Sequence, residues 1–345
     1  MDLSLLSVGT VVVLLLVLIA ECSNGWSDAP ASTSAAVASG VLTNKQALRI
    51  TSAGNFLGLL AALVIGAAVA KTIGTGIVRS DLISIRSIGI AMVATIVWAG
   101  VALRLGLPIS KTHSLLAALA GIGYAQGGLA ALLPASGHWQ DSGWVVVGIG
   151  VFLAIVCGSA LAWFMTSVVI EFGWPEKISD VWWKRFQLVT VWGVSSGHGF
   201  NDGLKYVGIF TLVLYKAGVI SEFRVMPWVI VTCAVVMALG TLLGGWRIQQ
   251  RLEGLVNPPS ITPHKKSFKT YMGVMSELTS AFLIWQTGWL GIPMSTNHGV
   301  TAAMAGAKSA QGKVHINSLV RIIWGWVVTY LFCATIAYAS ATLFL

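Results

Sequence analysis

Two acidic motifs stand inside otherwise apolar sequence. Ser27-Asp28 lies in Asn24-Gly25-Trp26-Ser27-Asp28-Ala29-Pro30, and Asn201-Asp202 lies in Gly197-His198-Gly199-Phe200-Asn201-Asp202-Gly203. Each is followed by a hydroxyl-bearing motif, Gly106-Leu107-Pro108-Ile109-Ser110-Lys111-Thr112-His113 and Gly291-Ile292-Pro293-Met294-Ser295-Thr296-Asn297-His298. Carboxylates and imidazoles in an apolar setting are expensive unless they face one another, ions or water, so they mark a polar site. A proline followed by small hydroxyl residues has the form of a helix first turn, where backbone N–H groups lack helical partners and attract anions. Two such ends meeting from opposite halves would surround a tetrahedral oxyanion with neutral donors and positive dipole ends. The expected cradle is Ser110, Thr112, Ser295, Thr296 and Asn297. Asp28 and Asp202 repel an anion but suit sodium or protons, and a cation held between carboxylate and anion would neutralise both.

Each feature also has a plainer explanation. A Pro-Ser-Thr stretch is also an ordinary capped helix start. A buried Asp can be a structural hydrogen-bond partner. His113, His198 and His298 either pack and orient neighbouring hydroxyls or bind the anion directly. Asn55 and Glu277 serve either a helix–helix hydrogen bond or the site. Lys205 either pairs with Asp202 one helical turn away or snorkels to the surface.

The elements that position these groups must be membrane helices. The chain has 345 residues, 56% hydrophobic and only 10% charged, with 15 Trp, and its apolar runs are longer than soluble cores need. The clear spans are 3–20, 56–70, 88–103, 145–170, 228–243 and 319–345. The first run lacks a basic flank, and Glu21 precedes Cys22 where lipoprotein processing wants a small residue, so it is retained as a helix. The net charge of +9 is spread through short connections as a topology signal rather than gathered on a nucleic-acid-binding face. Cys22, Cys157, Cys233 and Cys333 occur singly, without disulfide or zinc spacing.

The repeated motifs divide the chain into a first repeat over 1–170, a weakly apolar connecting segment over 171–187 and a second repeat over 188–345. A polar loop is expected over 251–269, where Pro258, Pro259, Pro263, His264, Lys265 and Lys266 interrupt any apolar period. The fold class is an all-α polytopic membrane protein of two inverted repeats, with broken helices, re-entrant hairpins and about ten to twelve membrane segments. The Gly- and Pro-interrupted segments are tolerable there only if buried in protein or lining a cavity.

Over most of its length the sequence resembles the PiT family of inorganic phosphate transporters. The resemblance rests on Asn24-Gly25, Asp28 and Pro30; Asn55-Phe56-Leu57-Gly58; 106–113; His198-Gly199 with Asn201-Asp202 and Lys205; Gly240-Thr241 with Gly244-Gly245-Trp246-Arg247; Glu277; and 293–298. It implies a homodimeric, inverted-repeat secondary transporter of the plasma membrane that takes up inorganic phosphate with sodium ions or protons and uses no cofactor. By the same resemblance Asn201 joins Ser110, Thr112, Ser295 and Thr296 around phosphate. Asn24 and Ser27 flank Asp28 at the cation, with Asp202 as its counterpart.

Three positions depart from the family pattern. A further Asn normally follows the first acidic motif where this chain has Ala31, Lys111 replaces a hydroxyl or acidic residue, and Asn297 replaces a hydroxyl. Lys111 would then either supply the charge of a bound cation or reach water at the hairpin mouth. The competing readings are a transporter of another tetrahedral oxyanion such as sulfate, and a membrane enzyme acting on phosphorylated lipid through His113 or His298. No nucleotide-binding loop points to ATP coupling.

Overall fold

The computed structural model describes residues 6–132, 142–257 and 267–345; Pro258, Pro259, Pro263, His264, Lys265 and Lys266 lie outside them. Among the described residues all of the regular elements are helices. In the first half these are α1 (Val8–Ser27), α2 (Ser34–Ser39), α3 (Asn44–Leu60), α4 (Ala62–Ile65), α5 (Ala68–Thr75), α6 (Ile85–Leu105), α7 (Lys111–Gly127), α8 (Gly143–Phe152) and α9 (Gly158–Glu171). The rest comprises α10 (Trp174–Lys177), α11 (Asp180–His198), α12 (Leu204–Lys216), α13 (Pro227–Leu242), α14 (Trp246–Val256), α15 (Thr270–Trp289), α16 (Thr296–Ser309) and α17 (Ile316–Phe344). A 3-10 turn over Ala29–Thr33 follows α1, and π turns over Leu153–Cys157 and Gly199–Gly203 join α8 to α9 and α11 to α12.

Packing repeats with the halves exchanged. α1 packs on α6 and α13, as α11 packs on α15 and α3; α7 packs on α17, as α16 packs on α9. Glycines permit the last two contacts. A Cβ at Gly121 would lie 2.3 Å from the Ala334 carbonyl oxygen, and one at Gly306 would lie 2.1 Å from that of Ser159. Such small-residue seams let membrane helices approach closely, where apolar burial alone does not drive association.

Among the described residues, six helical stretches are long and apolar enough to cross a membrane, or up to seven if the α13–α14 pair, bent by 69°, counts as one span. Several helices that carry the repeated motifs fall outside that set. The 20-residue α15 carries Ser276, Glu277, Thr279, Ser280 and Thr287 on its buried face, and α16 has only 14 residues. This places them beside the six apolar stretches in an expected total of about ten to twelve segments.

Three expected boundaries shift. The span expected over 56–70 starts at Asn44, because Thr43 and Gln46 form a capping box there, and it breaks after Ile65 at Gly66. The expected connecting segment ends early, since α11 already begins at Asp180 and its first turns are helical. The first part of the expected polar loop is helical too: Ile248, Leu252, Leu255 and Val256 are buried while Arg247 and Arg251 face outward. This amphipathic period carries the helix to Val256 before any proline intervenes.

Candidate functional site

Both hydroxyl-bearing motifs are turns of helical hairpins, α6–α7 and α15–α16. Gly106 ends α6 at φ 61° and Gly291 follows α15 at φ 74°, backbone conformations that glycine adopts without a Cβ penalty. The turns then run extended through Pro108 and Pro293 into Ser110 and Ser295, the N-caps of α7 and α16. Each cap hydroxyl accepts from a backbone N–H in the first turn, that of His113 at 3.2 Å and that of His298 at 3.3 Å. Pro108, Ile109, Ser110, Pro293, Met294 and Ser295 are all buried, so both tips lie inside the protein.

The acidic motifs come to the same place. One ligand atom from each of Asp28, His198 and Asp202 lies within 4.8 Å of the others. Asp28 Oδ2 accepts the Lys111 backbone N–H at 3.1 Å, and Asp28 Oδ1 accepts from Asn297 Nδ2 at 3.0 Å. The same Asn297 amide donates to the Ile109 carbonyl, so the second tip is tied to the first. Asp202 Oδ1 accepts from Lys205 Nζ at 2.5 Å and from Thr296 Oγ1 at 3.3 Å. Each acid therefore faces the first turn of its own half's tip helix. Lys205 links the two tips, because its ammonium also donates to Thr112 Oγ1 at 2.5 Å and to the Met294 carbonyl at 2.7 Å.

The π turn explains how Asn201 and Asp202 both face inward. The extra residue in that turn widens it, so neighbours that a regular helix would splay apart can address different partners. Asn201 Nδ2 donates to Thr287 Oγ1 at 3.2 Å and to the Ile292 carbonyl at 3.3 Å, while Asp202 turns to Lys205. His198 Nε2 lies 3.3 Å from Asp202 Oδ2 without forming a hydrogen bond to it. Its Nδ1 meets Asn55 Oδ1 at 2.8 Å, and Asn55 Nδ2 donates to Thr241 Oγ1 at 3.0 Å, which fixes the imidazole from behind.

Buried oxygens remain without hydrogen-bond partners around this centre: Asp202 Oδ2, Asn201 Oδ1, Asn24 Oδ1 and Asn297 Oδ1. Buried polar atoms are normally paired, so such a set calls for a ligand or water. Carboxylate and amide oxygens are the donors a hard cation takes. Ser27, by contrast, bonds its hydroxyl to the Ser23 carbonyl of its own helix at 2.8 Å.

The remaining expected residues sort by their contacts. Lys111 does not reach water: it is 1% exposed and its ammonium donates to Ser23 Oγ at 3.0 Å. The His113 and His298 rings lie 4.4 Å apart, flanked by Tyr330 and Trp326 respectively, and His113 Nδ1 and both ring nitrogens of His298 lack hydrogen-bond partners. Glu277 sits in a separate buried network, accepting from Thr190 Oγ1 at 2.7 Å and from Gln187 Nε2 at 3.2 Å.

One residue of this region escapes the motif reading. Glu21, fully buried, shares a face of α1 with Asn24 and Asp28, and its Oε2 accepts from Asn24 Nδ2 at 3.2 Å while Oε1 has no partner. The signal was the spacing of three polar residues at positions i, i+3 and i+7 of an apolar helix.

With this geometry in place, the comparisons with known proteins become specific. A profile described as the phosphate transporter family matches residues 24–180 and, a second time, 171–337. A "probable low-affinity inorganic phosphate transporter" of Rhizobium meliloti is 32% identical over 311 residues, spanning 89% of this chain and 87% of its own. A protein of Bacillus subtilis with the same description is 26% identical over 334 residues, spanning 95% of this chain and 94% of its own. Among solved structures, "the sodium-dependent phosphate transporter" superposes with a TM-score of 0.75 over 98% of this chain at 21% identity, which establishes the shared fold.

Proposed function

The chain belongs to the phosphate transporter family, and on that premise we propose that it is a secondary active permease for inorganic phosphate, coupled to a cation and working by alternating access. The observation that carries this reading is the buried meeting of both acidic motifs with both tip helices, leaving unpaired oxygens beside helix N-termini. In this reading Ser110, Thr112, Ser295, Thr296 and Asn297 surround the anion, with first-turn N–H groups supplying further donors. Asp28 and Asp202, with Asn24 and Asn201, hold the coupling cation, for which we favour sodium over the proton because the unpaired atoms are oxygens. His198, held by Asn55, positions Asp202.

A multi-pass membrane protein with this site needs no covalent step. The cation reduces the repulsion between the carboxylates and the anion, so the loaded centre is close to neutral and can be exposed to alternate sides. A homodimer in the plasma membrane, the cell inner membrane of a bacterium, completes the proposal.

The deciding measurement is radiolabelled phosphate uptake into proteoliposomes under imposed sodium or proton gradients. Gradient-driven accumulation, competed by arsenate more strongly than by sulfate, is the expected result. Sulfate uptake in preference to phosphate would reassign the substrate, and release of phosphate from a phosphorylated lipid would revive the enzyme reading.

Lys111 gives a prediction specific to this chain. Its ammonium is buried on the Asp28 side of the site, and we propose that it supplies part of the charge that a second cation would otherwise bring. Lys111→Ser is expected to steepen the sodium dependence of uptake and to weaken uptake at low sodium about tenfold, the equivalent of roughly 1.4 kcal/mol. Unchanged sodium dependence and phosphate affinity in this variant would end the idea.

A further inference from the structure

Away from the central site, α6 and the α13–α14 bend enclose two adjoining cavities of opposite character. The first, about 430 Å³, is lined by Arg104, Leu105, Gly106, Trp246, Arg247, Gln250 and Arg251, with no acidic residue in its wall. It lies at the N-terminus of α14, whose first turn adds positive dipole character to the three guanidinium groups. The guanidinium of Arg251 reaches the first hairpin's turn, its Nε 3.5 Å from where a Gly106 Cβ would stand, and Arg247 lies over the Trp246 ring at 5.7 Å.

The second cavity, about 280 Å³, is an apolar slot between α1, α6 and α13, with Ile19, Cys22, Ile96, Ala99, Leu103 and Leu243 among its walls. The two are consecutive along the chain. On α6 the slot ends at Leu103 where the basic cup begins at Arg104, and across the bend the slot's Leu243 is followed by the cup's Trp246. Leu105, Leu243 and Trp246 are 56%, 65% and 47% exposed, so the junction lies where an apolar girdle gives way to a polar surface. A Trp and snorkelling arginines are the side chains that membrane interfaces favour.

We infer that the cup and the slot form one binding site for an anionic phospholipid, the phosphate of the headgroup held by Arg104, Arg247 and Arg251 and an acyl chain laid into the slot. Basic pockets between membrane helices take anionic headgroups in this way. Free phosphate would use the cup alone and leave the slot without a purpose. The slot wall also includes Ser23, the hydrogen-bond partner of Lys111, so a bound chain would lie one contact from the central site.

The test uses the full-length protein in detergent, with thermal unfolding and native mass spectrometry read against added phosphatidylglycerol, phosphatidylcholine or inorganic phosphate at matched ionic strength. Phosphatidylglycerol is expected to bind and stabilise in preference to the other two. Replacing Arg104, Arg247 and Arg251 together by Gln should weaken phosphatidylglycerol binding roughly a hundredfold, each basic group near an anionic lipid contributing about a factor of five.

A second variant probes the slot separately. A Cβ at Gly100, another residue of the slot wall, meets nothing within 4 Å, so Gly100→Leu fills the slot without striking backbone. It should reduce the phosphatidylglycerol preference at least tenfold with all three arginines in place, and Arg251→Gln alone covers the case in which the triple variant fails to fold. Equal stabilisation by inorganic phosphate, or a phosphatidylglycerol preference that survives either the arginine replacements or Gly100→Leu, overturns the proposal.

Discussion

Asp202→Asn is expected to abolish cation-coupled phosphate uptake, with a loss of at least about a hundredfold, while the protein still folds. The carboxylate is 1% exposed and lies 2.5 Å from the equally buried Lys205 ammonium. Removing one partner of a buried pair strands the other charge, a penalty of about 3–5 kcal/mol that far exceeds the worth of a surface ion pair. The amide also withdraws the charge that Asp202 Oδ2, the unpaired oxygen, would offer a cation. Asp28→Asn should give the same functional loss with less structural disturbance. Its hydrogen-bond partners are the Lys111 backbone N–H and the Asn297 amide, both neutral, and the buried Lys111 ammonium keeps its bond to the Ser23 hydroxyl. Uptake into proteoliposomes, beside size-exclusion elution and thermal unfolding of each variant, separates transport from folding. Normal uptake by both variants would remove the acids from the coupling site.

That the acidic motifs and the hairpin turns come together could be read from the sequence because the design is written twice. Duplicated turns of Gly, Pro and Ser have a local cause, a positive-φ glycine and a capping hydroxyl, and local causes survive in sequence. What could not be read is which side chains meet across the halves. Thr112 and Lys205 are far apart in sequence and share no period, yet a single ammonium ties them. Likewise, His198 and Asp202 stand four residues apart, but Asp28 joins them only through tertiary packing, so spacing along the sequence does not complete the cluster.

Two other differences have physical causes of the same kind. For Glu277 the sequence leaves a helix–helix hydrogen bond and a site role equally open, and only the packing of α15 on α11 turns it toward Thr190 and Gln187. The helical start of the expected polar loop was hidden because α14 combines exposed arginines with a narrow apolar stripe. Its low mean apolarity reads as loop until the period is counted. Glu21 carries no motif signal for a related reason. Beside Cys22 it bears on leader processing, and its role emerges only when α1 is viewed down its axis with Asn24 and Asp28.

Lys205→Met carries the second large effect, because this ammonium is the knot between the two halves. It donates to Thr112 at the first tip, to the Met294 carbonyl at the second and to Asp202. Alternating access requires the tips to exchange partners, and a cation that already bridges them is placed to pass from Thr112 and Met294 to an entering oxyanion. Without it the anion loses a charge-assisted donor, each worth about 1.5–3 kcal/mol, so uptake should fall at least about tenfold. Lys205→Arg keeps the charge but not the compact point contact, and should recover only part of the activity. The double variant Asp202→Asn/Lys205→Met distinguishes a structural pair from a functional one. With both charges gone, no unpaired ion is left buried, so thermal stability should recover by about 1–3 kcal/mol relative to the sum of the single losses, while uptake remains absent. If the two single effects on stability simply add, or if Lys205→Met transports phosphate normally, Lys205 is neither the partner of Asp202 nor the bridge between the tips.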